Sequence, residues 1–378
     1  MDSKLRLGVI FGGRSGEHEV SLMSSRSIFS VLNPEKYDVT AIGITHNGVW
    51  LAGEQVWEKL NSGRTDGLTR VTLLPYPGEK MLYAIRETPS GTQLEPYAEL
   101  DVVFPVLHGT FGEDGTLQGL LELSDLAYVG AGVLGSAVGM DKALFKDVMR
   151  ANGLPVVDWI TVTRAEVEQS IDDVIRRAEA LAGEGQNAYP LFTKPANLGS
   201  SVGITKCRTR SDLYEGLMEA ATYDLRVLVE RGVPNAREIE CSVLGYHHLE
   251  ASAPGEVIPS GDFYTYDAKY FDDRSQLVIP VPLGAEMENR IREIAVKACR
   301  AADISGMARA DFLIDSVSGE VFISEINTIP GFTRISMYPK LWEASGIPYA
   351  VLVDRLIELA LERKAERDRT KRQFRRNE

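Results

Sequence analysis

The sequence predicts a protein of the α/β class with more than one domain. Short apolar strands alternate with helical segments near the N-terminus, which is the rhythm of βαβ units around a parallel sheet. The 378 residues are enough for two or three domains, each with its own core. Apolar residues make up 44% of the chain and charged residues 25%, a balance typical of globular proteins.

Charge and cysteine content narrow the classes of function. The formal net charge is -13, which argues against a nucleic-acid-binding surface as the main role. The three cysteines are odd in number and scattered, which fits a reducing compartment better than a disulfide framework. The N-terminus has no long apolar segment, and no apolar run is long enough to span a bilayer. We therefore expect a cytoplasmic protein with neither nucleic acid nor membrane as a partner.

The N-terminal part has the pattern of a parallel α/β domain. Its predicted strands and helix are, in chain order, strand 5–11, helix 21–31, strand 39–44 and strand 100–107. Residues 46–100 mix short strands with Gly/Pro turns and are interpreted as an insertion. Ligands usually bind at the carboxyl ends of the strands in such sheets. The first such ends are Gly12-Gly13 and His108-Gly109.

Two further units follow, with predicted boundaries at 1–130, 131–230 and 231–378. The predicted elements of the second unit are helix 142–152, strands 159–163 and 191–194, and helix 211–222. The third unit is strand-rich, with helix 286–302, a β-hairpin and a C-terminal helix at 349–363. The chain shows no internal repeat, and its last residues are a charge-rich tail.

Two glycine-rich loops could bind phosphate, although the G-x-x-x-x-G-K-[ST] motif is absent from the sequence. The loop at 12–16, GGRSG, is as consistent with a tight turn as with a ligand contact. The loop that starts at Lys194, KPANLGSSVG, offers small residues whose backbone N–H groups could surround phosphate oxygens. A plain hairpin connection with an extended lysine explains that loop equally well.

The predicted hairpin near residue 320 gathers polar side chains at one place. Folding about the turn 316–319 brings Asp311 nearly opposite Glu325, because antiparallel strands pair residue by residue. Arg309 shares a strand face with Asp311, and Asn327 shares one with Glu325. One of the two possible registers places all four side chains on the same face.

Such a cluster could be a structural ion-pair group or a metal site. Two carboxylates and a carboxamide suit Mg²⁺ that is held jointly by the protein and by substrate phosphates. A structural cluster does not require the neighbouring glycine-rich loop or the lysines Lys142 and Lys194. The combination therefore favours a nucleotide site.

Several motifs, in order, resemble those of the D-alanine–D-alanine ligases of the ATP-grasp superfamily. They are GGRSGEHEVS, HGTFGEDGTLQGLLE, MDK, KPANLGSSVG, YDAKY, RADF and EINTIPGFT, and the resemblance extends to about residue 360. It implies a three-domain ATP-grasp fold with a parallel-sheet N-terminal domain, and ATP bound between the other two domains. The implied reaction joins two D-alanines through an acyl phosphate, giving D-alanyl-D-alanine, ADP and phosphate for peptidoglycan synthesis.

The resemblance also implies a role for residues at the ATP end of the site. Those implied to contact ATP are Lys142, Lys194, Ser201, Val202, Glu230, Arg231 and Glu238. Those implied to hold two Mg²⁺ ions, for which Mn²⁺ is an alternative, are Asp311, Glu325 and Asn327. Arg231 stands where many relatives have Lys or Gln, a difference of little expected effect because the contact there is largely through the backbone.

A second implied set binds the amino acids and the reacting carbon. Glu17 would accept the ammonium of the first D-alanine, with Ser200 and Tyr270 hydrogen-bonded to Glu17. The guanidinium of Arg309 and the backbone N–H of Gly331 would stabilise the oxyanion of the tetrahedral intermediate. The remaining positions are Lys269 and Ser336 for the second carboxylate, Met337 through its backbone, and His108 near the first substrate.

The loop-rich segment 255–274 is interpreted as a lid that keeps water from the acyl phosphate. Tyr270 in it favours an amine as the second substrate, because relatives that make D-alanyl-D-lactate depart from tyrosine there. Two alternatives stay open, namely another carboxylate–amine ligase of the superfamily and a nucleotide-binding module without catalysis. The resemblance further implies a homodimer formed through the N-terminal domain.

Overall fold

Three β-sheets with packed helices position the glycine-rich loops and the hairpin described above. The structure is a computed structural model and describes residues 4–182, 189–258, 276–333 and 335–371. None of the described helices combines the length and the apolar character needed to cross a membrane.

The first sheet has eight strands in the order β6-β5-β4-β3-β2-β1-β7-β8. The strands are β1 Leu5–Gly12, β2 Tyr37–Ile44, β3 Trp50–Ala52, β4 Thr69–Leu73, β5 Met81–Thr88, β6 Gly91–Glu99, β7 Val102–Val106 and β8 Ala127–Tyr128. The helices of this part are α1 His18–Phe29, α2 Val56–Asn61 and α3 Thr116–Leu123. Buried apolar residues of β1 and β7 fill the space between this sheet and the helices.

The prediction of a parallel sheet is correct for half of it. Strands β2, β1, β7 and β8 are parallel, whereas β2 through β6 pair antiparallel. Residues 46–100, which were interpreted as an insertion, contribute β3 to β6 and extend the same sheet. Short connections there suffice for antiparallel neighbours, whereas parallel neighbours need a crossover.

Helix α1 also departs slightly from its prediction, since it begins at His18 and ends at Phe29. Most residues of its first turn are polar, so the start of the helix could not be recognised from the periodicity of apolar residues. The His18 ring nevertheless is buried there and donates from Nδ1 to the carbonyl of Gly13, at 2.8 Å. This bond fastens the helix start to the end of β1.

The second sheet is antiparallel, in the order β11-β10-β12-β9. Its strands are β9 Trp159–Thr163, β10 Leu191–Pro195, β11 Thr205–Cys207 and β12 Arg226–Arg231. Helices α6 Arg164–Ala182 and α7 Arg210–Tyr223 pack on it around a core of aliphatic side chains. Helix α7, predicted within a residue of each end, begins with a capping box between Thr209 and Asp212.

The third sheet has the order β16-β15-β13-β17-β18, and β14 pairs with β13. Its strands are β13 Ala236–Gly245, β14 Leu249–Ala251, β15 Gly255–Ile258, β16 Gln276–Val278, β17 Gly306–Asp315 and β18 Val321–Asn327. The remaining helices are α4 Val133–Met140, α5 Lys142–Ala151, α8 Ala285–Ala301, α9 Met337–Ala344 and α10 Tyr349–Asp368. The hairpin of β17 and β18 and the helices α5, α7, α8 and α10 were predicted from the sequence.

Core packing does not follow the chain order strictly. Apolar residues of α4 and α5 share a core with the third sheet, and those of α10 share one with the first sheet. The guanidinium of Arg363 on α10 donates to the carbonyl of Tyr128 at 3.0 Å and also to that of Gly130. The division at residues 130 and 230 stays a prediction.

Candidate active site

The hairpin places its polar side chains as the sequence predicted. Arg309 pairs with Asn327, and Asp311 pairs with Glu325, in antiparallel register. A bulge after Asp311 shifts the register in the remainder of the hairpin. The bulge leaves the pairing at these four positions intact, so the side chains of β17 and β18 meet on one face.

Arg309 is bound by two carboxylates on this face. Its Nε and Nη2 atoms donate to the two oxygens of Asp311, both at 2.7 Å. Its Nε also lies 2.9 Å from Oε2 of the buried Glu240 on β13, the strand residue opposite Asp311. The amide of Asn327 donates to Asp311 at 3.0 Å. Three neighbouring strands thus present a row of three carboxylates, two of which bind the guanidinium of Arg309.

Lys142 connects this row to the second glycine-rich loop. Its Nζ donates to the carbonyl of Leu198 at 2.6 Å and lies 3.6 Å from Oε2 of Glu325. The loop itself has a strained backbone, because Ser200 and Ser201 both have left-handed φ angles, of 52° and 60°. Lys142 is buried at the start of α5, so its ammonium is directed to this junction of loop and hairpin.

Next to the junction lies a buried cluster of one carboxylate and two ammonium groups. Lys194 is 2.7 Å and Lys146 is 3.2 Å from the carboxylate of Glu230. Burial alone would raise the pKa of Glu230, but the two ammonium groups outweigh it and lower that pKa to about 2. Burial lowers the pKa of Lys146, whereas for Lys194 the carboxylates of Glu230 and Glu325 overcome burial and raise the pKa. Glu230 and Lys194 are therefore both held in their charged forms at neutral pH.

Glu17 reaches the same region from the first sheet. Its carboxylate accepts a hydrogen bond from Ser200 Oγ, and its backbone N–H donates to Ser15 Oγ at 2.9 Å. A Cβ atom on Gly199 would lie 2.7 Å from Glu17 Oε2, and one on Gly109 would lie 2.5 Å from it. Both glycines are needed for the close approach of the carboxylate to two loops.

His108 is held in one tautomer by its neighbours. Its Nδ1 lies 2.9 Å from the carbonyl of Ile329, which can only accept, so Nδ1 carries the proton. Its Nε2 lies 3.1 Å from Ser24 Oγ, and that hydroxyl accepts from the N–H of Phe332 at 3.2 Å. Burial lowers the pKa of His108, so the ring is neutral at neutral pH.

Glu113 contacts the same loop from the same side. Its Oε2 accepts from the N–H of Gly109 at 2.8 Å, and its Oε1 accepts from the N–H of Ile329 at 3.0 Å. Burial and the charge of Glu17 raise the pKa of Glu113 to about 8. Ile329 is thus bound at both its N–H and its C=O by the N-terminal part of the chain.

Gly331 lies in the loop that follows β18. A Cβ atom there would lie 2.7 Å from Ser336 Oγ, so a side chain would displace that hydroxyl. Ser336 Oγ accepts from the N–H of Thr333 at 3.0 Å, just before α9 begins at Met337. Gly331, Thr333 and Ser336 are therefore packed closely together.

One cleft collects most of the predicted site residues. Those lining it are Glu17, His108, Lys142, Ser200, Arg309, Glu325, Asn327, Gly331, Ser336 and Met337. Asp311 adjoins the cleft through Arg309 and Asn327. The predicted residues that do not line it are Lys194, Ser201, Val202, Glu230, Arg231 and Glu238. Lys269, Tyr270 and nearly all of the predicted lid lie outside the described residues.

Four polar residues of the site were not predicted from the sequence, namely Ser24, Glu113, Lys146 and Glu240. Two of them had a usable signal. Lys146 follows Lys142 by four residues on a helix, and Glu240 follows Glu238 by two residues on a strand. For Glu113 the only indication in the sequence was its position in the HGTFGEDG motif.

Comparison with known proteins identifies the family. Models of the D-ala D-ala ligase N-terminus and C-terminus match residues 6–131 and 148–358. The D-alanine–D-alanine ligase of Natranaerobius thermophilus is 47% identical over 372 residues, covering 98% of this chain and 99% of the relative. That of Heliobacterium modesticaldum is 48% identical over 366 residues, covering 97% of each.

Solved structures agree with this assignment. The D-alanine-D-alanine ligase from Coxiella burnetii matches with a TM-score of 0.79 at 38% identity, covering 97% of this chain and 96% of that one. The VanG D-Ala:D-Ser ligase from Enterococcus faecalis matches with a TM-score of 0.79 at 35% identity, covering 95% of this chain and 100% of that one. The chain belongs to the D-alanine–D-alanine ligase family and has its ATP-grasp fold.

Proposed function

We propose that the cleft between Glu17 and the hairpin of β17 and β18 is where this ligase joins two D-alanines. The enzyme uses ATP and yields D-alanyl-D-alanine for cell wall synthesis. The observation that carries the assignment of the cleft is the register of the hairpin. It places Arg309, Asp311, Glu325 and Asn327 on one face, opposite the glycine-rich loop.

The charged groups of the cleft suit the triphosphate of ATP. Lys142 and Lys194 would neutralise phosphate oxygens, and the backbone of 199–202 would cover them. Glu230, Arg231 and Glu238 would contact the base and ribose of ATP. In the structure Glu230 is engaged by two lysines, so we propose that it also keeps the ammonium of Lys194 in place.

The family uses a divalent metal with ATP, and the donor set here fits Mg²⁺. Among the described residues no three His, Cys, Asp or Glu side chains are grouped to hold a metal. A magnesium ion needs only one or two protein carboxylates when nucleotide phosphates and water complete its shell. Asp311, Glu325 and Asn327 would supply these oxygens for two Mg²⁺ ions, and Mn²⁺ accepts the same ligands. The metal, when bound, neutralises charge on the phosphates.

The first step is transfer of the γ-phosphoryl group. A carboxylate oxygen of the first D-alanine attacks phosphorus, and the bond between phosphorus and the ADP oxygen breaks. Glu17 would hold the ammonium of this substrate, and Ser200 orients Glu17. His108, which is neutral and hydrogen-bonded to Ile329, would border the bound substrate without adding charge. Positioning and positive charge supply most of the catalysis in such a transfer.

In the second step the amine of the second D-alanine attacks the acyl carbon, and phosphate leaves. The C–N bond forms, the C–O bond to phosphate breaks, and the nitrogen loses a proton. The oxyanion of the intermediate would be stabilised by Arg309 and by the N–H of Gly331, in the oxyanion loop (residues 328–333). Ser336, Met337 and Lys269 would bind the second carboxylate, and Tyr270 would join Ser200 at Glu17.

A test of this assignment is phosphate release from Mg-ATP with product identification by mass. Release with D-alanine alone, together with a dipeptide product, is the expected result. The same assay with D-serine or D-lactate as a competing second substrate measures the preference that we assign to Tyr270. Preferred ester formation with D-lactate would overturn that assignment, and ATP binding without phosphate release would indicate a module that does not catalyse.

We also propose that the enzyme is a cytoplasmic homodimer. The family resemblance supports the dimer, and mass determination by light scattering tests it. The three cysteines, Cys207, Cys241 and Cys299, are all buried and unpaired, which agrees with a reducing compartment. Fractionation of cells that express the tagged full chain tests the location.

A further inference from the structure

Glu113 uses both carboxylate oxygens on backbone N–H groups from two distant parts of the chain. Gly109 belongs to the loop after β7, whereas Ile329 lies 216 positions after Glu113, in the oxyanion loop. The side chain is buried. A carboxylate that accepts two buried N–H groups holds them strongly, because charge-assisted hydrogen bonds are about twice as strong as neutral ones.

The oxyanion loop has three fixed backbone points toward the N-terminal part. Glu113 binds the N–H of Ile329, His108 binds its C=O, and Ser24 binds the N–H of Phe332. These points lie two residues before and one residue after Gly331. The N–H of Gly331 is therefore held between anchored neighbours, and its direction depends on them.

We propose that Glu113 is a positioning residue that orients the oxyanion loop, and thereby the N–H of Gly331, during attack on the acyl phosphate. This inference rests on the proposed function, since it gives Glu113 a task only if Gly331 serves the oxyanion. Glu113 also lines the cleft, so direct binding of a substrate ammonium is the competing role. Because both of its oxygens already accept backbone N–H groups, the geometry favours positioning.

The electrostatics of the cleft support a link to the first substrate. The charges of Glu17 and Arg309 act on Glu113 in opposite directions, and Glu17 has the larger effect. An ammonium bound at Glu17 would offset its negative charge. The first D-alanine would thereby stabilise the ionised form of Glu113, which is the form that accepts both N–H groups.

The test separates the two chemical steps in a Glu113→Gln variant. Glutamine keeps the length but has one acceptor oxygen, so one backbone N–H faces an amide N–H instead of an oxygen. Oxygen-isotope exchange between bridging and non-bridging positions of ATP, with D-alanine present, measures reversible acyl-phosphate formation. Dipeptide formation measures the complete reaction. We expect the rate of dipeptide formation to fall about 10- to 100-fold, less than for loss of an oxyanion donor, while isotope exchange falls less than threefold.

Glu122→Gln is the matched control. Glu122 is a carboxylate on α3 that is bound by Tyr128 Oη at 2.7 Å and by Arg367, and it does not line the cleft. We expect this variant to keep the ratio of the two rates. Equal losses of both rates in Glu113→Gln, or no loss, would overturn the proposal. A marked rise in the KM for D-alanine with an unchanged ratio would instead indicate direct ammonium binding. Wild-type enzyme that shows neither rate would contradict the proposed function itself.

Discussion

The two ends of the cleft are built in different ways. At the oxyanion end, His108, Glu113 and Ser24 bind backbone groups of the loop that carries Gly331. At the phosphate end, Lys142 and Arg309 are engaged by carboxylates of the same site. The bonds at the first end reach backbone groups that substrate would not displace, and the ammonium of the first D-alanine at Glu17 would favour the ionised form of Glu113.

The phosphate end instead contains charges that balance one another. Asp311 cannot serve a metal ion fully while both of its oxygens bind Arg309. A metal–nucleotide complex carries both positive and negative charge. Its metal ions can therefore pair with the carboxylates, and its phosphates can pair with Arg309 and Lys142, in place of the ion pairs within the protein. We infer that the backbone donor proposed for the oxyanion, the N–H of Gly331, is held in place by its neighbours, whereas the charged side chains, Arg309 among them, would have to exchange partners when the metal–nucleotide complex binds.

The largest loss of activity is expected from a substitution at the phosphate end. Glu325→Ala removes a proposed metal ligand and a carboxylate partner of Lys142. We expect ATP-dependent ligation to be abolished while the fold is retained, because Glu325 is at the cleft rather than in an apolar core. Phosphate release together with a thermal unfolding curve measures both. Normal turnover by a folded variant would remove Glu325 from the metal site.

The next largest loss of activity is expected from a change at the oxyanion end. In Gly331→Ala the new methyl group would lie 2.7 Å from Ser336 Oγ, so the loop or the hydroxyl must move. We expect dipeptide formation to fall by about 10²–10³, the usual effect of losing one oxyanion donor. Gly119→Ala on α3 is the control, since a Cβ there meets nothing within 4 Å. Equal activity of the two variants would show that Gly331 is not a donor.

A third change tests the buried ion cluster of Glu230, Lys146 and Lys194 through its dependence on pH. Glu230 has a pKa lowered to about 2, against 4.5 in the unfolded chain. Its ionic contribution to the free energy of unfolding is therefore present above pH 4.5 and is lost as the pH falls toward 2. We expect the urea midpoint of Glu230→Gln to lie below that of the wild type at pH 7, with a smaller difference at pH 3. A constant difference between the two proteins would argue against the ion cluster.

The smallest expected effect is a shift in a pH profile at the oxyanion end. Glu113, with a pKa of about 8, accepts both N–H groups only when ionised, so kcat/KM for D-alanine should rise with an inflection near pH 8. The contribution of Glu113 to the free energy of unfolding changes in the opposite direction to kcat/KM. Because its pKa is raised on folding, this contribution is present below pH 4.5 and is lost as the pH rises from 4.5 to 8.

In the enzyme–substrate complex the ammonium at Glu17 should move the inflection in kcat to lower pH. The Glu113→Gln variant provides the check, because the D-alanine amine also titrates and its effect is common to both proteins. An inflection near pH 8 that persists unchanged in the variant would assign it to the substrate or to another group.

Much of the phosphate end could be predicted from the sequence, because its geometry depends on local rules. Strand alternation and a four-residue turn were enough to pair Asp311 with Glu325, as the structure confirms. The fold class was also predictable, through alternating elements and family motifs. The antiparallel half of the first sheet was not, because short strands with mixed turns carry a weak periodic signal.

The oxyanion end was much harder to foresee. The bond of His108 to Ile329 spans 221 positions, and that of Glu113 to Ile329 spans 216. These bonds reach backbone groups, which every residue has, so residue identity at 329 gives no hint of them. Their prediction would need the packing of the first sheet against the loop after β18, which no local pattern contains.

The packing of α10 has a consequence for biosynthesis. Its residues Leu352, Val353 and Leu356 belong to the same apolar core as Leu7 and Phe104. Domains generally fold in order as the ribosome releases the chain. Part of the apolar face of the first sheet therefore stays uncovered until α10 has been translated, and α10 begins at Tyr349, 221 residues after the last strand of that sheet ends at Tyr128. We therefore expect nascent chains that stop before residue 349 to bind chaperones, although all eight strands of the first sheet have been made.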